Sequence, residues 1–133
     1  MRYELTNDLL TGNALIDSEH RQLFEAINNL MEACETGKGR DSIAKTADFL
    51  LNYVNKHFGD EEKLQTSSKY PGYPAHKNFH EGYKQKLRET AMDIEKNGPT
   101  IASLGKLNSV VAILVSHIRI EDKKLAAHVK SQS

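Results

Sequence analysis

Histidine is the residue type whose placement stands out in this chain, and its chemistry at these spacings is metal ligation. His57 and Glu61 are four residues apart, and so are His76 and His80. On a helix each pair shares one face about one turn apart, where both side chains can bind one metal or two adjacent ones. His20 lies three and four residues before Leu23 and Phe24, and His117 three residues after Leu114, so both extend apolar stripes. Glu121 stands four residues beyond His117 and Asp122 five. Five residues carry a regular helix about 140° around, which favours Glu121 on geometry alone. A π turn would let Asp122 serve. One such pair is a weak signal. Several pairs on inward faces are strong, because burying imidazoles and carboxylates without partners costs several kcal/mol per group and coordination removes that cost.

The elements that must position these groups are four helices. Ser and Asp caps, Gly-containing stops and apolar spacings of three and four predict helices near 18–37, 41–65, 75–97 and 100–129. The first starts near Asp17 or Ser18, carries Leu23, Phe24, Ile27, Leu30, Met31 and Cys34, and stops at Gly37-Lys38-Gly39. The second carries Ile43, Ala47, Leu50, Val54 and Leu64. Pro74 suits the first turn of the third, which continues through Phe79, Tyr83, Leu87 and Ile94 to Asn97-Gly98-Pro99. The fourth, capped by Thr100, carries Leu104, Leu107, Val111, Leu114, Ile118 and Leu125. Residues 1–16 read as an ordered, non-helical arm. Strand patterns are absent, and short connections favour antiparallel neighbours. The expected fold is therefore all-α: an up-down-up-down four-helix bundle with an N-terminal arm, forming one domain over 1–133. In such a bundle the starts of the first and third helices lie beside the ends of the second and fourth. His20, His57, Glu61, His76, His80 and His117, with Glu121 or Asp122, then meet at one end of one core.

Composition narrows the function. The 133 residues carry 18 basic and 18 acidic side chains, a formal net charge of zero, with no basic face for nucleic acid. No apolar stretch is read as approaching the roughly 20 residues of a membrane span, and the N-terminus lacks the apolar core of a secretory signal. A single cysteine, Cys34, precludes an internal disulfide and fits a reducing, cytoplasmic setting. The expectation is a soluble cytoplasmic monomer. Five nitrogen donors suit iron better than calcium or magnesium, which prefer oxygen.

The segments IDSEH at 16–20, HFGDE at 57–61, HKNFH at 76–80 and HIRIED at 117–122 resemble the hemerythrin family, and among its members the bacteriohemerythrins. The resemblance runs over essentially the whole chain, including DSEHRQLFEAIN at 17–28. It implies two iron ions joined by an oxo or hydroxo bridge. His76, His80 and His117 would bind one, His20 and His57 the other, and Glu61 and Asp122 both; the resemblance thus selects Asp122 over Glu121. It further implies reversible dioxygen binding at an open position on the second iron, for carriage, storage or delivery, and not enzymatic turnover. The alternatives are a di-iron peroxidase or nitric oxide scavenger, a sensor acting through a separate protein partner, and a plain iron or zinc store. With no kinase, cyclase or methyl-accepting segment present, a fused sensor is not expected.

Leu114 and Ile118 bracket His117 and are expected to wall the dioxygen pocket together with Phe24 and Phe58. An apolar wall matters because water and protons would promote loss of reduced oxygen. Family members often carry tryptophan in the arm and near the pocket. This chain has none, with Tyr3 in the arm and Ile113 one turn before His117. Leu125 replaces a tyrosine that many relatives carry three residues after the bridging aspartate. His128 is read as a surface residue, Cys34 as buried packing, and the Asp60-Glu61-Glu62-Lys63 run as solvated surface from which only Glu61 turns inward.

Overall fold

The computed structural model describes residues 3–37 and 39–132. Met1, Arg2, Lys38 and Ser133 lie outside the described residues, so the expected stop at Gly37-Lys38-Gly39 is described at its two glycines only. Four long helical stretches follow one another: α1 (Ala14–Glu35), α2 (Arg40–Ser67), α3 (Tyr73–Asn97) and α4 (Ile101–His117). The last continues without a break through a π turn (Ile118–Asp122) into α5 (Lys123–Ser131). Each long helix packs on its neighbour in sequence, giving the all-α, up-down-up-down bundle.

Local chemistry sets the ends. Helix α1 begins earlier than expected, because Asn13 is the residue that caps it, its side chain accepting from the Ile16 amide at 3.0 Å. Asp17, expected near the cap position, accepts instead from the Thr11 and Gly12 amides at 2.9 and 3.1 Å and from the Thr11 hydroxyl at 2.8 Å. It thereby ties the arm to the helix. Gly37, at φ 68°, takes the left-handed conformation that ends α1. Pro74 sits in the first turn of α3, and the Thr100 hydroxyl caps α4 by accepting from the Ser103 amide at 3.0 Å.

The apolar stripes meet in one core of Leu23, Phe24, Ile27, Leu30, Leu50, Val54, Phe58, Leu87, Ile94, Leu107, Leu114 and Ile118, among others. Cys34 is buried in it. A smaller cluster of Ile16, Leu125 and Ala126 stands apart from this core, with Leu64 only half-buried against that cluster.

The arm is ordered, with a short 3-10 turn over Asn7–Leu9. The Tyr3 amide donates to Asn28 on α1 at 2.7 Å, and the Tyr3 hydroxyl to Asn108 on α4 at 2.9 Å, so the arm bridges these two helices.

The reading that no stretch approaches a membrane span is corrected. The continuous fourth helix, Ile101–Ser131, is 31 residues long and contains an 18-residue window of mean hydropathy 1.5, apolar and long enough by composition to cross a membrane. Its apolarity has a structural use here. Leu107, Val110, Val111 and Leu114 are buried in the bundle.

Candidate metal centre

Four helices deliver donors to one level of the bundle. His20 comes from α1, His57 and Glu61 from α2, His76 and His80 from α3, and His117 from the end of α4, with Asp122 closing the π turn. All seven side chains are buried, the most accessible being His117 at 6 %. The donor atoms fall into two groups: His76, His80 and His117, and His20, His57, Glu61 and Asp122. Within each group they lie no more than 4.8 Å apart, close enough to share a cation.

The two carboxylates stand between the imidazoles and divide their oxygens. Glu61 Oε1 lies 3.1 Å from His80 Nε2 and 3.8 Å from His76 Nε2. Its Oε2 lies 3.5 Å from His57 Nε2 and 3.9 Å from His20 Nε2. Asp122 repeats the pattern. Its Oδ1 is 3.0 Å from His76 Nε2 and 3.2 Å from His117 Nε2, and its Oδ2 is 3.0 Å from His20 Nε2. Each carboxylate thus turns one oxygen toward each set of imidazoles.

These donors fit metal cations. The Nε2 atoms of His20, His57 and His80, both Glu61 oxygens and Asp122 Oδ2 are buried with no hydrogen-bond partner among the described residues. Each such atom costs about 1–3 kcal/mol if left unpaired, and a cation at their centre satisfies several together.

Burial also sets the protonation of the site. It pushes the His57 imidazole below its ordinary pKa and that of His80 down to about 2, helped for His80 by the neighbouring His76. Both are neutral and free to coordinate. Burial, reinforced by the negative charge of Asp122, raises the Glu61 carboxyl well above the usual range. Burial would raise Asp122 too, but the imidazoles of His117, His20 and His76 set against its oxygens hold it well below.

Aromatic rings brace the ligands. Phe58 stacks on His80 with centroids 3.8 Å apart and planes at 5°, and Phe79 stacks on His117 at 3.8 Å and 3°. Of the four residues expected to wall a pocket, Phe58, Leu114, Ile118 and Phe24 are all buried in the core. Phe58 touches an imidazole, whereas Phe24 lies toward the arm, its ring 6.5 Å from that of Tyr3.

Three polar side chains escaped the sequence reading. Glu19 is buried with Oε1 2.9 Å from His57 Nδ1; its spacing of four from Leu23 was the signal that it faces inward. Glu62, read as solvated, is only 18 % exposed at its side chain and lies 3.0 Å from His80 Nδ1. It can turn inward because His80, from the next helix, presents a nitrogen beside it. Gln65, one turn beyond Glu61, is fully buried with neither amide atom paired among the described residues. His128, read as a surface residue, is half-buried, its Nε2 2.7 Å from the Ser68 carbonyl, so it fastens α5 to the end of α2.

Residues 11–129 match the model of the hemerythrin HHE cation binding domain. A bacteriohemerythrin of Stenotrophomonas maltophilia is 30 % identical over 94 % of this chain and 80 % of its own length. One from Pseudomonas aeruginosa is 33 % identical over 87 % of this chain and 74 % of its own. Myohemerythrin of Sipunculus nudus is 34 % identical over 83 % of this chain and 79 % of its own. With four helices converging their imidazoles on two shared carboxylates, and with these likenesses spanning nearly its full length, the chain belongs to the hemerythrin family.

Proposed function

We propose that the chain binds dioxygen reversibly at a non-haem di-iron centre, to carry, store or deliver it. The observation that carries this reading is the division of oxygens in Glu61 and Asp122, one toward each imidazole set. A carboxylate so placed can bridge two cations and hold them at a fixed separation. His76, His80 and His117 would hold one iron, and His20 and His57 the other, with a solvent-derived oxo or hydroxo group completing the bridge. Iron held by these residues in the ferrous state would supply the two electrons that reversible dioxygen binding requires.

The protein's own part is to position and to exclude. Three imidazoles on one side and two on the other leave the His20–His57 side poorer in ligands, so a cation held there would have a position free for a small exogenous molecule. Leu114, Ile118 and Phe58 are buried to within 1 % exposure, an apolar lining that would keep water from the core around the centre, with Phe24 buried toward the arm. Leu114 and Ile118 flank His117 and supply no proton, which favours release of intact dioxygen over its reduction. Five imidazoles with two carboxylates leave less negative charge around the metals than the four-carboxylate sets of ferritin-like enzymes, and so stabilise high-valent iron less. These features favour binding over turnover, the reading in which the chain is not primarily an enzyme.

The test is anaerobic loading with ferrous iron, quantification of iron, and exposure to air. The proposal expects a pair of irons per chain and a visible band that appears in air and disappears under argon through repeated cycles. Immediate, irreversible oxidation accompanied by peroxide or nitric oxide turnover would assign an enzymatic role instead. Retention of zinc in preference to iron would assign a store or a structural site.

A further inference from the structure

We propose that Glu19 and Glu62 are positioning residues, one for each half of the centre, that hold the Nδ1 hydrogens of His57 and His80 and so turn their Nε2 lone pairs to the metals. The inference rests on the metal-binding reading above and extends it outward by one layer.

A neutral imidazole carries one N–H, and the acceptor it meets decides which nitrogen bears the hydrogen. Glu19 Oε1 lies 2.9 Å from His57 Nδ1, and Glu62 Oε2 lies 3.0 Å from His80 Nδ1. A carboxylate accepts and does not donate, so both hydrogens belong on Nδ1 and both Nε2 atoms are free. Those Nε2 atoms are the ones facing Glu61, at 3.5 Å from His57 and 3.1 Å from His80. Such a partner also raises the basicity of the ligand, as outer carboxylates do behind metal-bound histidines. Two of the other ligands lack such a partner. Nδ1 of His20 and of His76 is buried and meets no hydrogen-bond partner among the described residues.

Each carboxylate is held from outside by a lysine, and the two differ in strength. Glu19, 4 % exposed, accepts from Lys56 Nζ at 2.9 Å, and Lys56 also donates to Asp60 at 2.9 Å. Glu62, 18 % exposed, has Lys77 Nζ at 3.6 Å. The Lys56–Glu19–His57 chain is thus the tighter and better shielded of the two. Because Glu19 sits on α1 and Glu62 on α2, each also ties the preceding helix to the helix that bears its histidine.

The test uses the full chain and two readouts. Nitrogen-15 NMR of the metal-free protein reports the tautomer of each histidine, and optical titration with Co2+ reports the two metal sites separately. Glu19→Ala should move the His57 hydrogen toward Nε2 and weaken one Co2+ site by about 10–100-fold. Glu19→Gln, which keeps an oxygen acceptor, should retain the Nδ1–H tautomer with a smaller loss and guards against a variant that fails to fold. Glu62→Ala should do the same to His80 and the other site, by a smaller factor. An unchanged tautomer in both alanine variants overturns the proposal, as does equal weakening of both sites in step with a lowered melting temperature. If the wild-type chain takes up no Co2+ or iron, the di-iron reading fails, while the tautomers of the metal-free protein still decide the roles of Glu19 and Glu62.

Discussion

Asp122 Oδ1 lies 3.2 Å from His117 Nε2 although the two residues are five positions apart, because the turn between them is π-helical. In a regular helix that spacing would swing Asp122 about 140° away from His117. The wider π turn brings it back to the same face, and Asp122 is fully buried. Glu121, which a regular helix would favour, points outward with a side chain 46 % exposed and Lys124 3.7 Å away. Asp122→Asn should therefore lose at least half of the bound metal, since it removes a charge shared by both sites. Glu121→Gln should retain full metal content. Iron per chain after anaerobic loading and desalting decides it; the reverse pattern would mean that the π turn is absent in solution.

The π turn marks the boundary of what the sequence can disclose. The bundle was legible because Leu23, Ile27, Leu50, Leu87 and Leu107 repeat at helical spacing and end up buried. The ligand pairs were legible for the same reason, since four-residue spacing encodes a shared face. Asp122 was selected by resemblance, because a π turn leaves no mark in helical periodicity. Glu19 and Glu62 were hidden for a different reason. Glu62 stands in a charged run that reads as surface, and the approach of His80 from the next helix turns it inward. The inward spacing of Glu19, four residues before Leu23, is masked by its charge. The early start of α1 was missed because Asn13, Asp17 and Ser18 are all competent caps, and the arm's hydrogen bonds to Asp17 select among them.

Removing the metal should destabilise the fold, because the ligands it would leave come from four different helical stretches. A ligand present at about a thousand times its Kd stabilises the folded state by about 4 kcal/mol. Chelation should lower the melting temperature markedly, and added Fe2+ should restore it. His57→Ala and His117→Ala should lose metal and the metal-dependent part of the stability together. Unchanged iron content and unchanged melting in both variants would refute the ligand assignment.

Acid should unfold the metal-free protein from just below neutrality. Burial holds the folded pKa of His57 and His80 below the ordinary value, that of His80 at about 2. In the unfolded chain both titrate near about 6.5. Below that pH the unfolded state takes up protons that the folded state refuses, so stability falls by up to about 1.4 kcal/mol per pH unit for each histidine. Glu61 opposes this, because its raised pKa makes the folded state the one that binds a proton as pH falls toward the ordinary carboxylate range. Two histidines outweigh one carboxylate, so the urea midpoint should drop between about pH 6.5 and 5. A midpoint that rises over this window would show that the imidazoles are already protonated in the fold.

Gln65 offers a test of how completely the polar interior is satisfied. It is fully buried one turn beyond Glu61, and neither its amide nitrogen nor its oxygen has a partner among the described residues. A buried amide left unpaired costs about 1–3 kcal/mol, whereas an apolar side chain of similar length carries no such penalty. Gln65→Met should therefore stabilise the metal-free protein by about 1 kcal/mol in urea unfolding, with little disturbance of packing because methionine adapts its shape. The sign carries the information. If the variant is instead destabilised, the amide is hydrogen-bonded through ordered water inside the bundle, and its position beside Glu61 makes that water part of the surroundings of the bridging carboxylate.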